Sequence, residues 1–481
     1  VTAQPTISEA AKAARRTRPA IDRSQLGLAL SAAWVVIALA VPWTDLDPAG
    51  RRMLAIFGVA VVLWITEAIP LYATAVVIIL AEIALVSDEA VWALPAGFDA
   101  PAYTTFYAAL AHPVLMLFLG GFLLADGAAK FRLDRNLAGL LLAPFGTRPA
   151  ALIAGLMAIT ALLSMFMSNT ATTASMMAVV LPVVAGLGPD DPLRSSLALS
   201  VPVAANIGGL GTPVGTPPNA IALGRLSDDG IGIDFLTWMA LAVPLVIIVL
   251  AVAWFYLIRA YPARTETVEV RLGGEFDRSR PARVLYLTFA LTVVLWLSEP
   301  VHGIPSTIVG FVPVVLLLAF GVMNSDDLRR LNWHVLWLVG GGIALGSGVA
   351  ATGLDRWLVG LIDWSELPVA VLTLVLVAFA LVMSTVISNS ATANLMIPIG
   401  VSLAASDAIA ISPVLAAVLI AVACSLAMAL PVSTPPNAIA HATGLIETSD
   451  LARVGAVVAA VGSVLVVFLA PAVWQAVGLV P

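Results

Sequence analysis

Two short strings decide how this chain folds: Met167-Ser168-Asn169-Thr170-Ala171-Thr172 and, 220 positions later, Ile387-Ser388-Asn389-Ser390-Ala391-Thr392. Each has the same heptapeptide downstream, Thr216-Pro217-Pro218-Asn219-Ala220-Ile221-Ala222 and Thr434-Pro435-Pro436-Asn437-Ala438-Ile439-Ala440. The two strings of a pair are 48 residues apart in the first copy (Ser168 to Thr216) and 46 in the second (Ser388 to Thr434). A lone Ser-Asn-Thr carries no information. Two matched pairs in the same order mark a duplicated unit.

Other landmarks repeat in step. Trp64-Ile65-Thr66-Glu67, with Pro70 after it, returns as Trp296-Leu297-Ser298-Glu299, with Pro305 after that. Gly120-Gly121 returns as Gly340-Gly341, and Leu133-Asp134-Arg135 as Leu354-Asp355-Arg356. Repeat 1 therefore covers 53–259 and repeat 2 covers 284–478. The polar stretch 260–283, which mixes Arg264, Arg271 and Arg278 with Glu266, Glu269 and Glu275, reads as a linker.

The surroundings are oily. With 60% hydrophobic residues, 11% charged residues and a mean hydropathy of +1.03, the chain is not a soluble domain. The fold class is an all-α polytopic membrane protein, because apolar runs of spanning length recur from Leu26 to Val480. Cys424 is the single cysteine, so no intrachain disulfide forms, and four scattered histidines assemble no metal cluster. No His-Glu-x-x-His string, intramembrane acid pair or nucleophile–base pair is visible, which argues against an enzyme. Nothing points to an organic cofactor or to nucleic acid.

In order, 1–25 is a basic cytoplasmic tail and 26–43 a first span, followed by spans at 53–68, 71–86 and 113–127. Residues 130–145 alternate a leucine face with Lys130, Arg132, Asp134 and Arg135, the pattern of a helix lying in the interface. The uncharged segment 149–187 carries the first Ser-Asn-Thr at its middle, and 195–224 carries the first Thr-Pro-Pro-Asn. Their counterparts are 367–406 and 413–443.

Charge placement fixes orientation. If 149–187 enters and leaves the bilayer on one side as a re-entrant hairpin, all but Arg51, Arg52, Arg225 and Arg356 of the 23 Lys and Arg residues lie on the cytoplasmic side, with the N-terminus. A single crossing would throw the linker outside. Five crossings then separate the hairpins, so the repeats are inverted and their tips can meet near the midplane. The expected location is the plasma (inner) membrane.

A helix that stops inside a bilayer survives only where its backbone is buried in protein or lines a wet cavity. The breaks are expected at Ser168-Asn169-Thr170 and Ser388-Asn389-Ser390, and Pro217-Pro218 and Pro435-Pro436 are expected to interrupt the spans that carry them. Broken helices offer carbonyls to a cation and N–H groups to an anion. The four motif-bearing segments contain no Lys, Arg, Asp or Glu. An anion held there has no side-chain counter-charge, and helix ends supply only about half a charge each. A multiply charged anion thus needs cations beside it, and each ligand raises the other's affinity. Ser, Thr and Asn in membrane helices ordinarily just bond to neighbouring helices; the duplicated, inverted set tips that reading towards a site. Glu67 and Glu299 read as structural, His441 as a packing histidine, and the Gly-Gly runs as close helix contacts.

The paired Ser-Asn-Thr and Thr-Pro-Pro-Asn strings, with the Trp64-Ile65-Thr66-Glu67-Ala68-Ile69-Pro70 opening, resemble the divalent anion:sodium symporter family, which contains the Indy-type dicarboxylate transporters. The resemblance runs from Met53 to Gly478. It implies about eleven spans plus two re-entrant hairpins, a homodimer, and elevator motion of a transport domain (149–259 and 367–478) against a scaffold (26–146 and 284–364). It implies sodium-coupled uptake of succinate, malate and fumarate. By motif position, one sodium site would use Ser164, Ser168, Asn169 and the carbonyl of Gly215; the other would use Ser384, Ile387 through its carbonyl, Asn389 and the carbonyl of Ser433. Substrate carboxylates would meet Asn169, Thr170 and Thr216, and Ser388, Asn389, Ser390, Thr434 and Pro435. Ser390 departs from the commoner Thr, which bears on the substrate's length and valence. Carboxylate exchange without net sodium entry, sulfate or phosphate carriage, and an anion channel stand as alternatives.

Overall fold

The structure, a computed structural model, describes residues 23–268, 276–362, 364, 367–406 and 411–476. Most of the basic tail and the middle of the linker, 269–275, lie outside the described residues. Among the described residues the chain is helical, and nine helices are long and apolar enough to cross a membrane.

Helices α1 (Arg23–Ala40), α2 (Pro48–Thr66), α3 (Leu71–Leu85) and α4 (Pro113–Lys130) open the chain, and the amphipathic segment forms α5 (Leu133–Leu142). The first uncharged segment splits into α6 (Pro149–Phe166) and α7 (Asn169–Ala185), and the next into α8 (Leu193–Gly209) and α9 (Pro217–Asp228). Helix α10 (Phe235–Ala260) closes the first half. The second half runs α11 (Arg280–Leu297), α12 (Phe311–Ala319), α13 (Trp333–Ala351) and α14 (Leu354–Gly360). It continues with α15 (Val369–Val386), α16 (Asn389–Ala405), α17 (Pro413–Leu426), α18 (Pro435–Ala442) and α19 (Thr448–Val464).

The repeated landmarks make repeated contacts. Trp64 Nε1 donates to Leu71 O at 3.1 Å and Trp296 Nε1 donates to Ser306 O at 3.2 Å, each indole bridging the turn that follows it. Asp134 accepts from Ser175 Oγ, and Asp355 accepts from Ser402 Oγ at 2.7 Å, so each amphipathic helix is tied to the helix after a Ser-Asn string. The Gly-Gly runs allow close crossings: a Cβ on Gly120 would lie 1.7 Å from Gly310 O, and one on Gly341 would lie 2.3 Å from Ala75 Cβ. Glu299 Oε2 accepts the backbone N–H of Phe235 at 3.1 Å, which makes it a cap for α10, and Glu67 closes α2 in the left-handed region. Glu299 is thus structural, as read from the sequence.

One element departs from its copy. The residue before α14 is Gly353 at φ +66°, whereas the residue before α5 is Arg132 at φ 55°. A left-handed L-residue costs about 1–2 kcal/mol, against about 0.5–1 kcal/mol for the added freedom of glycine in the unfolded chain. Arg132→Gly is therefore expected to raise the thermal midpoint of the purified protein by a few degrees; a lower midpoint would contradict the assigned conformation.

Two expectations need correction. The breaks after α6 and α15 are only two residues long, Met167-Ser168 and Ile387-Ser388. Ser168 and Ser388 act as N-caps, each accepting an N–H three residues on at 3.2 Å, so Asn169 and Asn389 already belong to the next helix. The proline pairs begin α9 and α18 rather than interrupting a span. Proline is tolerated in the first turn because its missing N–H has no intrahelical partner there. The actual breaks lie upstream, at 210–216 and 427–434.

The described part of the linker is anchored. Asp191, buried between α7 and α8, accepts from Leu193 N (3.0 Å), Arg264 N (3.1 Å), Thr265 N (3.1 Å) and Thr265 Oγ1 (2.7 Å). Burial alone would raise its carboxyl, but these bonds outweigh it and hold the group below the ordinary range. A depressed carboxyl contributes stability that is complete above its unfolded pKa of about 3.9 and is lost as pH falls through its folded value. Proteolysis within 260–268 is therefore expected to rise below about pH 4, and in Asp191→Asn at neutral pH as well. Equal cleavage of variant and wild type at pH 7 would refute the clamp.

Candidate functional site

The two Ser-Asn strings build the same arrangement twice. Ser164 Oγ lies 2.6 Å from Asn169 Oδ1 and 2.8 Å from Ala205 O; Ser384 Oγ lies 2.8 Å from Asn389 Oδ1 and 2.7 Å from Cys424 O. Each serine thus joins the start of a post-break helix to the last turn of the helix that precedes a Thr-Pro-Pro-Asn loop. Ser164 and Ser384 are buried, while Ser168, Asn169, Ser388, Asn389 and Ser390 are half-buried and Thr170 is exposed. The outer groups can therefore meet a solute.

The loops are held by their asparagines. Asn219 Nδ2 donates to Gly209 O (3.0 Å), Leu210 O (3.3 Å) and Thr212 O (2.8 Å), while Asn437 Nδ2 donates to Met428 O (2.7 Å) and Leu430 O (3.0 Å). Thr216 and Thr434 stand at the head of α9 and α18, both buried. Ser433 Oγ donates to Thr385 O at 3.2 Å, which fastens the second loop to α15.

Residues expected for the first cation set are contiguous. A Cβ on Gly209 would lie 2.6 Å from Asn169 Oδ1, and one on Gly215 would lie 2.3 Å from Gly209 O. Only glycine at both positions leaves Asn169 and the unwound backbone this close. The donors are neutral oxygens, half-helix carbonyl ends and unwound backbone, the set that holds a small monovalent cation in broken-helix transporters. Among the described residues no group of three or more His, Cys, Asp or Glu could hold a metal ion.

Asn206 connects the halves. Its Nδ2 donates to Thr434 Oγ1 and to Asn437 Oδ1, both at 3.1 Å. Since the neighbouring Ala205 carbonyl accepts from Ser164, one turn of α8 runs from the first tip to the second loop. Sequence reasoning passed over Asn206, Gly209, Asn219 and Asn437. The asparagines of the heptapeptides were visible as repeated residues, but Asn206 corresponds to Ser425, not to another asparagine, in the other half and gave no signal. His441, in the last turn of α18, lies 3.3 Å from Thr448 Oγ1 and is satisfied there.

Matched positions on α9 and α18 differ in exposure. Ala220 and Gly224 are buried and Pro217 is half-buried, while Ala438, Ala442 and Pro435 are exposed. Helix α9 packs on α13 and α4, and α18 packs on α7 and α8. At the far end of α9, His112 Nε2 lies 3.3 Å from Asp228 and Arg225 lies 3.0 Å from Asp229. Asn394 Nδ2 on α16 donates to Leu338 O on α13 at 3.0 Å. Helix α9 is thus the more enclosed by protein of the two, and α18 the more exposed.

The model of the family described as "Sodium:sulfate symporter transmembrane region" matches residues 23–480. The chain belongs to the sodium:sulfate symporter family. It is a transporter, not an enzyme, and the resemblance read from the motifs holds. Similar members include the sodium-dependent dicarboxylate transporter SdcS of Staphylococcus saprophyticus, 32% identical over 89% of this chain and 87% of that protein. The sodium-dependent high-affinity dicarboxylate transporter 3 of Caenorhabditis elegans is 30% identical over 82% of this chain and 78% of its own length. In fold, this symporter-family chain is similar to the YdaH transporter of Alcanivorax borkumensis, with a TM-score of 0.55 and 16% identity over 85% of this chain and 99% of that one.

Proposed function

We propose that this protein is a sodium-coupled symporter of C4-dicarboxylates such as succinate, malate and fumarate. The observation that carries the reading is the duplicated, uncharged cradle, in which Ser164–Asn169 and Ser384–Asn389 pair at 2.6 and 2.8 Å beside unwound backbone. A dianion in such a cradle is held by N–H groups, hydroxyls and amides, and its charge is balanced by sodium ions bound with it. One ion takes Ser164, Ser168, Asn169 and the Gly215 carbonyl; the other takes Ser384, Asn389 and the carbonyls of Ile387 and Ser433. The carboxylates meet Asn169, Thr170 and Thr216 on one side, and Ser388, Asn389, Ser390, Thr434 and Pro435 on the other. The sodium-dependent relatives named above support both ligand classes.

The working architecture is eleven spans and two re-entrant hairpins (α6–α7 and α15–α16) in inverted repeats, with the N-terminus cytoplasmic in the plasma (inner) membrane of a homodimer. The transport domain, 149–259 and 367–478, moves as an elevator against the scaffold of 26–146 and 284–364. In this topology α9 ends outside and α18 ends inside.

Succinate uptake into proteoliposomes tests the reading. An imposed inward sodium gradient is expected to drive accumulation, and internal succinate without sodium is expected to drive none. Accumulation driven by internal succinate alone would establish exchange instead.

A further inference from the structure

A cavity of about 430 Å³ lies between the first turn of α6, the last turn of α10 and the chain that leaves α10, 261–266. That is within the range of small-molecule sites, which begin at about 300 Å³. Its walls are fixed. Trp254 Nε1 on α10 donates to Ala150 O at 2.9 Å, Val268 N donates to Thr147 O at 2.8 Å, and Arg264 and Thr265 are held by Asp191. The Tyr261 hydroxyl donates to Asp450 Oδ1 at 2.6 Å, so this ring is wall rather than a donor to a guest.

The lining is divided. Ile153 is buried and Ile258 half-buried, while Arg148, Arg264 and Glu266 are exposed. Neither guanidinium makes an ion pair or hydrogen bond among the described residues. No side chain caps the start of α6, so its first-turn N–H groups add positive character beside them. Asp191, behind the wall, is already satisfied by the four bonds described above. Two positive groups thus face one carboxylate, and the cavity favours an anion. Its position says which kind. Helices α6 and α10 are both of spanning length, so the cavity stands at headgroup height. Helix α10 exposes Ile247, Ile248 and Phe255, and Arg259 lies over the Phe255 ring at 5.5 Å, the arginine-and-aromatic edge of a span. Basic pockets between helices on the cytoplasmic side take anionic headgroups. We propose that this cavity holds an anionic phospholipid, its phosphate between Arg148 and Arg264 and its acyl chains passing Ile258 onto the outer face of α10. An anion without acyl chains would leave the apolar half unfilled. The lipid bridges the root of the first hairpin and the linker between the repeats. The proposal does not depend on which solute or ion is carried.

The test follows the thermal midpoint of the intact chain in detergent micelles as dioleoylphosphatidylglycerol is titrated in, beside dioleoylphosphatidylcholine and inorganic phosphate. Phosphatidylglycerol is expected to raise the midpoint saturably, and the other two are not. Arg148→Gln/Arg264→Gln is expected to raise the half-saturating mole fraction about 25-fold, about fivefold for each basic side chain removed from an anionic lipid. The charge-matched Arg329→Gln/Arg330→Gln, outside the lining, is expected to titrate as wild type. An equal rise with inorganic phosphate would make the guest a free anion, and an equal rise with phosphatidylcholine would make the effect mere solvation of apolar surface; either overturns the proposal. So does a half-saturation in Arg148→Gln/Arg264→Gln equal to wild type. Should that variant fail to fold, Glu266→Gln is read instead. Losing the opposing carboxylate is expected to lower the half-saturating fraction about two- to fivefold, the range of an exposed charge pair. An unchanged or higher value overturns the site equally.

Discussion

Asn169→Ala and Asn389→Ala are each expected to abolish sodium-driven succinate uptake while leaving expression and elution profile intact. Each asparagine stands in both proposed ligand sets. Its Oδ1 lies within 2.8 Å of a buried serine that also bonds an adjacent helix, and the residue itself is half-buried. Losing a group that supports a metal site costs about 10–100-fold in cation affinity. Losing a hydrogen bond to a charged group costs about 1.5–3 kcal/mol, or roughly another 10–150-fold. On the proposed reading the dianion and its cations bind together, so the two losses compound and uptake should fall by more than about 100-fold. The serine is left with its backbone acceptor, so the fold should tolerate the change. Wild-type uptake in either variant would remove that asparagine from the site.

Gly215→Ala is expected to be nearly as damaging, by a steric route. Its Cβ would lie 2.3 Å from Gly209 O and 3.0 Å from Gly209 Cα, both backbone atoms held by Asn219. Backbone cannot swing aside as a side chain can, so the loop must open. Overpacking of this kind costs about 1–3 kcal/mol, and it displaces the carbonyl assigned to the first cation. The half-saturating sodium concentration should rise at least tenfold, by the same supporting-group comparison, with uptake falling accordingly. Gly232→Ala, where an added Cβ meets nothing within 4 Å, is the matched control and should behave as wild type. Equal sodium dependence in Gly215→Ala and Gly232→Ala would show that the cradle does not need this carbonyl.

Much of this was readable in the sequence because the duplication is written in rigid chemistry. Ser168, Ser388 and the proline pairs carry strong local rules, and the uncharged stretches around them say what kind of ligand the site lacks a counter-charge for. The landmark tryptophans, glycines and aspartates proved to be turn bridges, close crossings and ties to the following helix. What the sequence could not disclose is where the copies part company. Asn206 and Ser425 look like ordinary polar residues in apolar runs, and only packing shows that they hold equivalent places. The exact reach of the breaks was also hidden: the serine caps restart α7 and α16 after two residues, whereas the first-turn prolines restart α9 and α18 only after the unwound stretches 210–216 and 427–434.

The lopsided seam between α9 and α16 on one side and α4 and α13 on the other has a mechanical consequence. Every polar tether described across it, His112 to Asp228 and Asn394 to Leu338, grips the same flank. If the gripped body is the part that travels, an empty molecule must peel this flank away before it can reset. The seam, rather than the cargo, would then set the tempo of the cycle, and variants with a loosened flank would turn over faster.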